Sequence, residues 1–332
     1  MGCHDNPVTL MFENIHRFLG NSHAPAANAP AIPQKLGGAF GIPELTPPNR
    51  RQTSKVNARK ENDPVTIKEF MDGIQLPKDA QAAAVQIPLP KEEFVRMNRL
   101  FWQDIPAFWE ETEKKQNAPQ WFLRFYTTMG PECFSRFREA GISQDIFFAT
   151  LKDITIWARA FYQRHGSYGI SQARWAAKGM RMEVLRLGRL QFEPSLLSEG
   201  VPVLKVHIPE DGPLKKEEVM DSFRQAKDFF SSRISSDSQA RSSWTFFTCE
   251  SWLLFPDLAS LLPEDSNILQ FQKLFQITET VLSSRQAEER IFGFLSDNPA
   301  DYPAKTSLQK HAREYLMKGK KLGIGEGRRP FL

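Results

Sequence analysis

The 332 residues carry 43 Lys and Arg against 39 Asp and Glu, a net charge of +4, and so balanced a chain gives no support to nucleic-acid binding. The length suffices for two domains of ~100 to 200 residues, and 41% hydrophobic content with 26 Phe and 7 Trp excludes a wholly disordered chain. Cys3, Cys133 and Cys249 lack the spacing of a disulfide framework or a metal site, and no window reaches the ~18 apolar residues of a membrane span, so a reducing, cytoplasmic setting fits.

Met1-Gly2-Cys3 opens like a myristoylation signal, but Asn6 stands where that motif needs Ser or Thr. Residues 7 to 19 place Met11, Ile15 and Phe18 on one helical face, with Pro7 at the first position and Gly20 at the end. From 21 to 62 the chain turns to Ala, Pro, Gly, Asn and basic residues. Such a composition cannot offset chain entropy by burial and reads as a flexible linker, which sets residues 1–60 apart.

Helical spacing of Ile67, Phe70, Met71 and Ile74 predicts a helix over VTIKEFMDGI, with order resuming near Pro64. A second helix starts after Pro90, with Phe94, Met97, Phe101 and Ile105 on one face until Pro106 interrupts it. Helices follow at about 119 to 129 and 131 to 140, the second opened by Pro131. The longest is expected at about 144 to 164, along the stripe Phe147, Leu151, Ile154, Ala158 and Phe161. No strand-like alternation interrupts this half, so residues 61–180 read as an all-helical bundle with an aromatic core.

Around Met180 the period drops from near 3.6 to near 2. MEVLRLGRLQFEP alternates apolar and charged residues about Gly188, giving two short strands or one bent strand with a bulge. VPVLKVHIP (201 to 209) is a strand, and KKEEVMDSFRQAKDFF is an amphipathic helix with Val219, Phe223, Ala226 and Phe230 aligned. SWTFFTCESWLLFP (243 to 256) is a long β-rich run ended by Pro256. DLASLL, a turn at PEDSN, FQKLFQITETVL and RIFGFL supply a helix and further strands. A helix capped by Thr306 or Ser307 then leads to GIGEG (323 to 327), which reads as a surface loop. The whole is α+β: an N-terminal helical bundle, then a mixed α/β domain over residues 181–332.

The segments RLGRLQFEP (186 to 194), VHIPEDGPL (206 to 214), CESWLLFP (249 to 256), Ser266-Asn267-Ile268 with Phe271-Gln272, and KTSLQKHAREYL (305 to 316) recur in a telling order. In that order and at those intervals they resemble the GNAT-like C-terminal domain of the N-acyltransferase family, whose members also carry a helical N-terminal domain. The resemblance spans roughly residues 65 to 332. It implies acyl-CoA, acetyl-CoA or longer, as co-substrate, and an amine of a small molecule or peptide as acceptor.

In a GNAT-type fold a strand feeds a turn whose N–H groups, at the start of a helix, bind the CoA pyrophosphate. The resemblance places that turn at Ile208, Pro209, Gly212, Pro213, Leu214, Lys215 and Lys216. Gly212 permits close backbone approach, and the two lysines add positive charge. Against this stand a single Gly where typical GNAT enzymes have several, and Glu210, Asp211, Glu217 and Glu218, which repel phosphate. An ordinary strand-to-helix turn is the alternative.

Acyl transfer to an amine needs a base, a donor for the thioester oxygen and an acid for the leaving thiolate. His207 and Glu250 are the catalytic candidates. His207 ends its strand, where ligands of α/β sheets bind, and its intrinsic pKa suits proton transfer near neutrality; satisfaction by a backbone carbonyl is its plainer role. Alternation groups Glu250 with Trp244, Phe246, Thr248, Trp252 and Leu254. A carboxylate on such an apolar face is either working or paired, for instance with an Arg. Cys249 and Ser251 face the other way, and Tyr162 and Tyr168 read as core or junction packing. A non-catalytic module that keeps CoA affinity, or a protein-interaction scaffold, is the alternative to an enzyme.

Overall fold

The computed structural model describes residues 65 to 232 and 244 to 331. The helix expected at 7 to 19, the linker after it and the residue at which order was expected to resume, Pro64, lie outside them. The described helical half runs through α1 (Ile67–Gly73), α2 (Lys78–Gln86), α3 (Lys91–Gln103), α4 (Ile105–Glu113), α5 (Ala118–Glu139), α6 (Gln144–Leu151), α7 (Asp153–His165) and α8 (Ala173–Met180). Thr66 and Glu69 form a capping box that starts α1, each side chain accepting from the other's backbone N–H.

Three expectations about this half are corrected. Pro106 opens α4 instead of ending α3: Asp104 caps the new helix by accepting from the Ala107 N–H at 3.1 Å, and Pro in a first turn forfeits no helical bond. Pro131 lies inside one 22-residue helix, α5, and starts nothing. Burial of Phe125, Tyr126, Met129, Cys133 and Phe134 on that helix outweighs the roughly 3 kcal/mol that an interior Pro costs. The helix expected at 144 to 164 is two, parted at Lys152 and Asp153, because the Asp153 carboxylate is drawn inward to the Trp175 Nε1–H and Gln191 Nε2–H, both at 2.7 Å. The core is aromatic as the composition suggested: Phe101 packs edge-on against Trp102, Phe108, Phe125 and Tyr126.

The second half is a six-stranded sheet of β1 (Leu185–Leu187), β2 (Leu190–Leu196), β3 (Pro202–His207), β4 (Phe246–Ser251), β5 (Gln276–Val281) and β6 (Ile324–Pro330), in the order β1-β2-β3-β4-β6-β5. Every neighbouring pair is antiparallel except β3 with β4, which are parallel. Helix α9 (Lys216–Ser231) is the crossover between those two strands, and α10 (Asn267–Gln272), α11 (Gln286–Phe292) and α12 (Ser307–Met317) follow. MEVLRLGRLQFEP resolves as a tight hairpin, β1 and β2, turned at Gly188 with φ +69°.

Residues paired across a sheet share a face. One face carries Phe192, Leu204, Val206, Phe247 and Cys249, buried against Val219, Phe223, Ala226 and Phe230 of α9. The other carries Gln191, Glu193, Lys205, His207, Thr248 and Glu250, and its β2–β3 part meets α7 and α8.

The run at 243 to 256 is shorter as a strand than its composition predicts. At Ser251 the side chain accepts from the Leu253 N–H and a 3-10 turn, Trp252–Leu254, begins. DLASLL is covered by another 3-10 turn, Pro256–Ser260, and RIFGFL is the end of α11 and its Gly293 cap, not a strand. GIGEG is not a surface loop: it is the start of β6, inserted between β4 and β5.

Candidate active site

The parallel pair β3–β4 comes apart part-way along. Val203, Leu204 and Lys205 pair with Phe246, Phe247 and Thr248, and the pairing stops there. Both strands continue, each following its other neighbour: Val206 and His207 stay on β2, while Cys249, Glu250 and Ser251 stay on β6. The antiparallel ladders therefore pull the two strands apart, and backbone groups along the inner edges lose their sheet partner. Had the register continued, His207 would stand opposite Glu250. The two sequence candidates flank the opening on the same sheet face.

His207 is the last residue of β3, and its Nε2 lies 2.9 Å from Glu193 Oε2. Glu193 also accepts from Lys178 Nζ of α8 at 2.7 Å. Burial pushes the Glu193 carboxyl up, but the bonds from His207 and Lys178 overcome this and hold it at about 2. An ionised carboxylate only accepts, so Nε2 carries the hydrogen and Nδ1 is the basic nitrogen of the neutral ring. Trp175 packs edge-on against the imidazole at 4.7 Å, and its Nε1–H is tied to Asp153. The imidazole is thus satisfied by a carboxylate rather than by a backbone carbonyl, and it is oriented from both domains.

Because Glu193 is depressed from 4.5 to about 2, its contribution to stability is complete above pH ~4.5 and is lost as the pH falls through that window. Glu193→Gln is expected to flatten the loss of stability between those two values. Urea unfolding of parent and variant at a series of acid pH values measures it, and parallel curves would show that Glu193 contributes nothing there.

Glu250 is exposed, and its face is polar, contrary to the apolar face the alternation predicts. Trp252 and Leu254 leave the strand in the 3-10 turn, so the alternation does not extend to them. Opposite Glu250 on β6 stands Glu326, and Glu279 of β5 comes next in the row. Burial, then the charges of Glu250 and Glu279, push the Glu326 carboxyl above its ordinary range, while Arg328 and Lys205 pull the other way. Glu326 escaped the sequence reading because it sits among glycines.

The β3–α9 turn is anchored at both ends by buried Pro209 and Leu214, with Gly212, Pro213, Lys215 and Lys216 exposed and Ile208 half-buried. Lys215 is the N-cap of α9 and supplies no side-chain cap, so the helix begins without a side-chain acceptor for its first N–H groups. Most of the acids expected to repel phosphate here are neutralised. Asp211 takes a bidentate bond from Arg186 at 2.8 and 3.0 Å and lies 3.4 Å from Lys152. Glu210 pairs with Arg290, and Glu218 with Lys215 at 3.0 Å. Glu217 remains exposed in the first turn.

Cys249 is buried, and burial pushes its thiol up, which disqualifies it as a nucleophile. Tyr162 and Tyr168 stack on each other at 4.4 Å, and the Tyr168 hydroxyl donates to Asp79, so they belong to the helical half. Glu193, Trp175, Asp153 and Lys178 were not singled out from the sequence. The one available signal was Glu193 inside RLGRLQFEP, a charged residue in a strand next to Pro.

A helical bundle seated on a mixed sheet whose parallel pair parts beside an uncapped helix defines a two-domain class. Residues 65–182 match the profile described as N-acyltransferase N-terminal domain, and residues 184–329 match that described as GNAT-like C-terminal domain. The chain belongs to the N-acyltransferase family that joins these two domains. It is similar in fold to an acyltransferase solved in complex with decanoyl-CoA and teicoplanin, at 20% identity, TM-score 0.69, and coverage of 82% of this chain and 91% of that one. Likewise, an acyltransferase in complex with decanoyl-CoA matches at 22% identity, TM-score 0.66, over 81% and 90% of the two chains. A third, in complex with CoA and 10C-teicoplanin, matches at 19% identity, TM-score 0.67, over 81% and 89%. No curated protein sequence gives a match.

Proposed function

We propose that this protein is an N-acyltransferase that moves an acyl group from acyl-CoA to an amine of a small molecule or peptide. The observation that carries the reading is the parting of β3 and β4 directly before the uncapped start of α9. Unpaired strand edges suit the amides of a pantetheine arm, as an added strand would, and a helix start with Lys215 and Lys216 suits a pyrophosphate. Family membership supports it, as does the fold shared with acyltransferases solved with acyl-CoA. We assign residues 61–180 to the helical domain and 181–332 to the domain that binds the donor. Among the described residues no helix is long and apolar enough to cross a membrane, and we place the activity in the cytoplasm.

The amine nitrogen attacks the thioester carbonyl, the N–C bond forms, the C–S bond breaks, and the amine proton must leave. His207 Nδ1 is the base for that proton, with Glu193 fixing the ring and stabilising the imidazolium that results. The proton then goes to the departing CoA thiolate. Glu250, on the far side of the opening, draws in the cationic acceptor and is the second base candidate.

Titration of the full chain with acetyl-, octanoyl- and decanoyl-CoA is expected to release heat and to stabilise the fold, by about 2.7 kcal/mol at a ligand concentration 100 times Kd. No response to any of them sinks the donor assignment. Following CoA thiol release across a panel of amines separates an enzyme from a binding module. In that assay Glu250→Gln is expected to slow turnover by about 10²-fold or more, and an unchanged rate would remove Glu250 from the mechanism.

A further inference from the structure

We infer that Arg189 positions the β3–α9 loop for the cofactor's phosphates, an assignment that rests on the acyl-CoA reading above. Arg189 follows Gly188 in the β1–β2 turn, far from the loop in sequence, and its side chain is only 7% exposed. Its Nε donates to the Pro213 carbonyl at 2.9 Å, and its Nη2 donates to the carbonyls of Pro209, at 2.8 Å, and Gly212. Its backbone N–H donates to Ser222 Oγ of α9 at 2.7 Å, which fixes the hairpin to that helix.

A guanidinium has donors and no acceptor, so it selects carbonyl oxygens. Among the described residues no peptide bond is cis, so each N–H points opposite to the C=O of its own peptide group. The carbonyls of Pro209 and Pro213 face Arg189, which turns the N–H groups of Glu210 and Leu214 away from it. The peptide between Gly212 and Pro213 has no N–H to turn. Arg189 therefore occupies three carbonyls of the loop and leaves the Glu210 and Leu214 donors facing the other way, as an anion requires.

The charge arrangement agrees with this. Arg189 Nη1 has no hydrogen-bond partner among the described residues, with Asp211 Oδ1 3.9 Å away. Asp211 is already claimed by Arg186 and Lys152. Arg186, Arg189 and Lys152 thus gather about Asp211 behind the loop, with the Glu218 charge also acting on Arg189. An ordinary strand-to-helix turn needs no buried cation, and burying one is costly. Lys in its place would keep the charge and lose the rigid fork that reaches three carbonyls.

The test compares decanoyl-CoA with decanoyl-pantetheine, which shares the acyl chain and both amides but has no phosphate, by calorimetry on the full chain. Arg189→Lys and Arg189→Met are each expected to weaken decanoyl-CoA by about tenfold or more. Decanoyl-pantetheine should change by less than about twofold, because its contacts lie along the strands. Loss of both ligands by the same factor, or no loss of decanoyl-CoA, overturns the assignment. Should Arg189→Met fail to fold, Arg189→Lys and hydrogen exchange of the parent protein decide. Amides of Glu210, Asp211, Gly212, Leu214, Lys215 and Lys216 are expected to exchange fast in the free protein and slowly with CoA; slow exchange without CoA overturns the assignment. A parent protein that binds neither ligand defeats the acyl-CoA reading itself, whereas normal parental binding with unaffected variants defeats only the role of Arg189.

Discussion

His207→Ala is expected to lower kcat for amine acylation by about 10²-fold or more, the usual worth of a positioned base, with a much smaller change in the KM for acyl-CoA. The ring contributes to chemistry through Nδ1, while the proposed phosphate contacts lie beyond it in the loop after Pro209. A second variant makes the assignment sharper. Glu193→Gln should give a kcat between those of the parent and His207→Ala, because a neutral amide still reaches Nε2 but no longer stabilises the charged ring. A variant with unchanged kcat would leave His207 as a structural partner of Glu193 and Trp175.

Gly325→Ala is expected to destabilise the protein by about 3 kcal/mol, at the upper end of ordinary overpacking, and to lower Tm by several degrees. A Cβ at Gly325 would lie 2.2 Å from the Leu254 carbonyl oxygen and 3.0 Å from the Leu254 side chain. The obstruction is the backbone of the 3-10 turn, which cannot swing aside as a side chain can. Gly325 also pairs with Ser251 of β4 and Thr280 of β5, so relief requires β6 to shift against both its neighbours. Gly212→Ala is the control: the nearest atom to its added Cβ is Arg189 Nε at 3.8 Å, and stability should stay within about 0.5 kcal/mol. Thermal or urea unfolding distinguishes the two, and equal stabilities would show that the turn at Leu254 yields.

The same glycines explain why β6 is hard to read from the chain. GIGEG has no apolar alternation, because Leu254 and Phe275 lie where side chains would be, and its strand character comes from β4 and β5 on either side. Pro131 misleads for a related reason: the local cost of an interior Pro is visible in sequence, while the burial that outweighs it is not. Of the candidate site, His207 at a strand end and the turn before α9 were legible, since each follows from local order. The surroundings of Glu250 were not, because they depend on where β4 bends and on which strand lies beside it.

Local periodicity by itself determined the α+β division, the helical half and the β3–α9 unit, because each is set by contacts between residues close in the chain, while around Gly188 it left two short strands and one bent strand both open. Pairings between distant segments were decided only by the folded sheet: β6 beside β4, Glu193 against His207, Asp153 beneath Trp175, and Arg189 behind the loop at 209 to 213. Those contacts join residues from 14 to roughly 80 positions apart, and register, not composition, selects them.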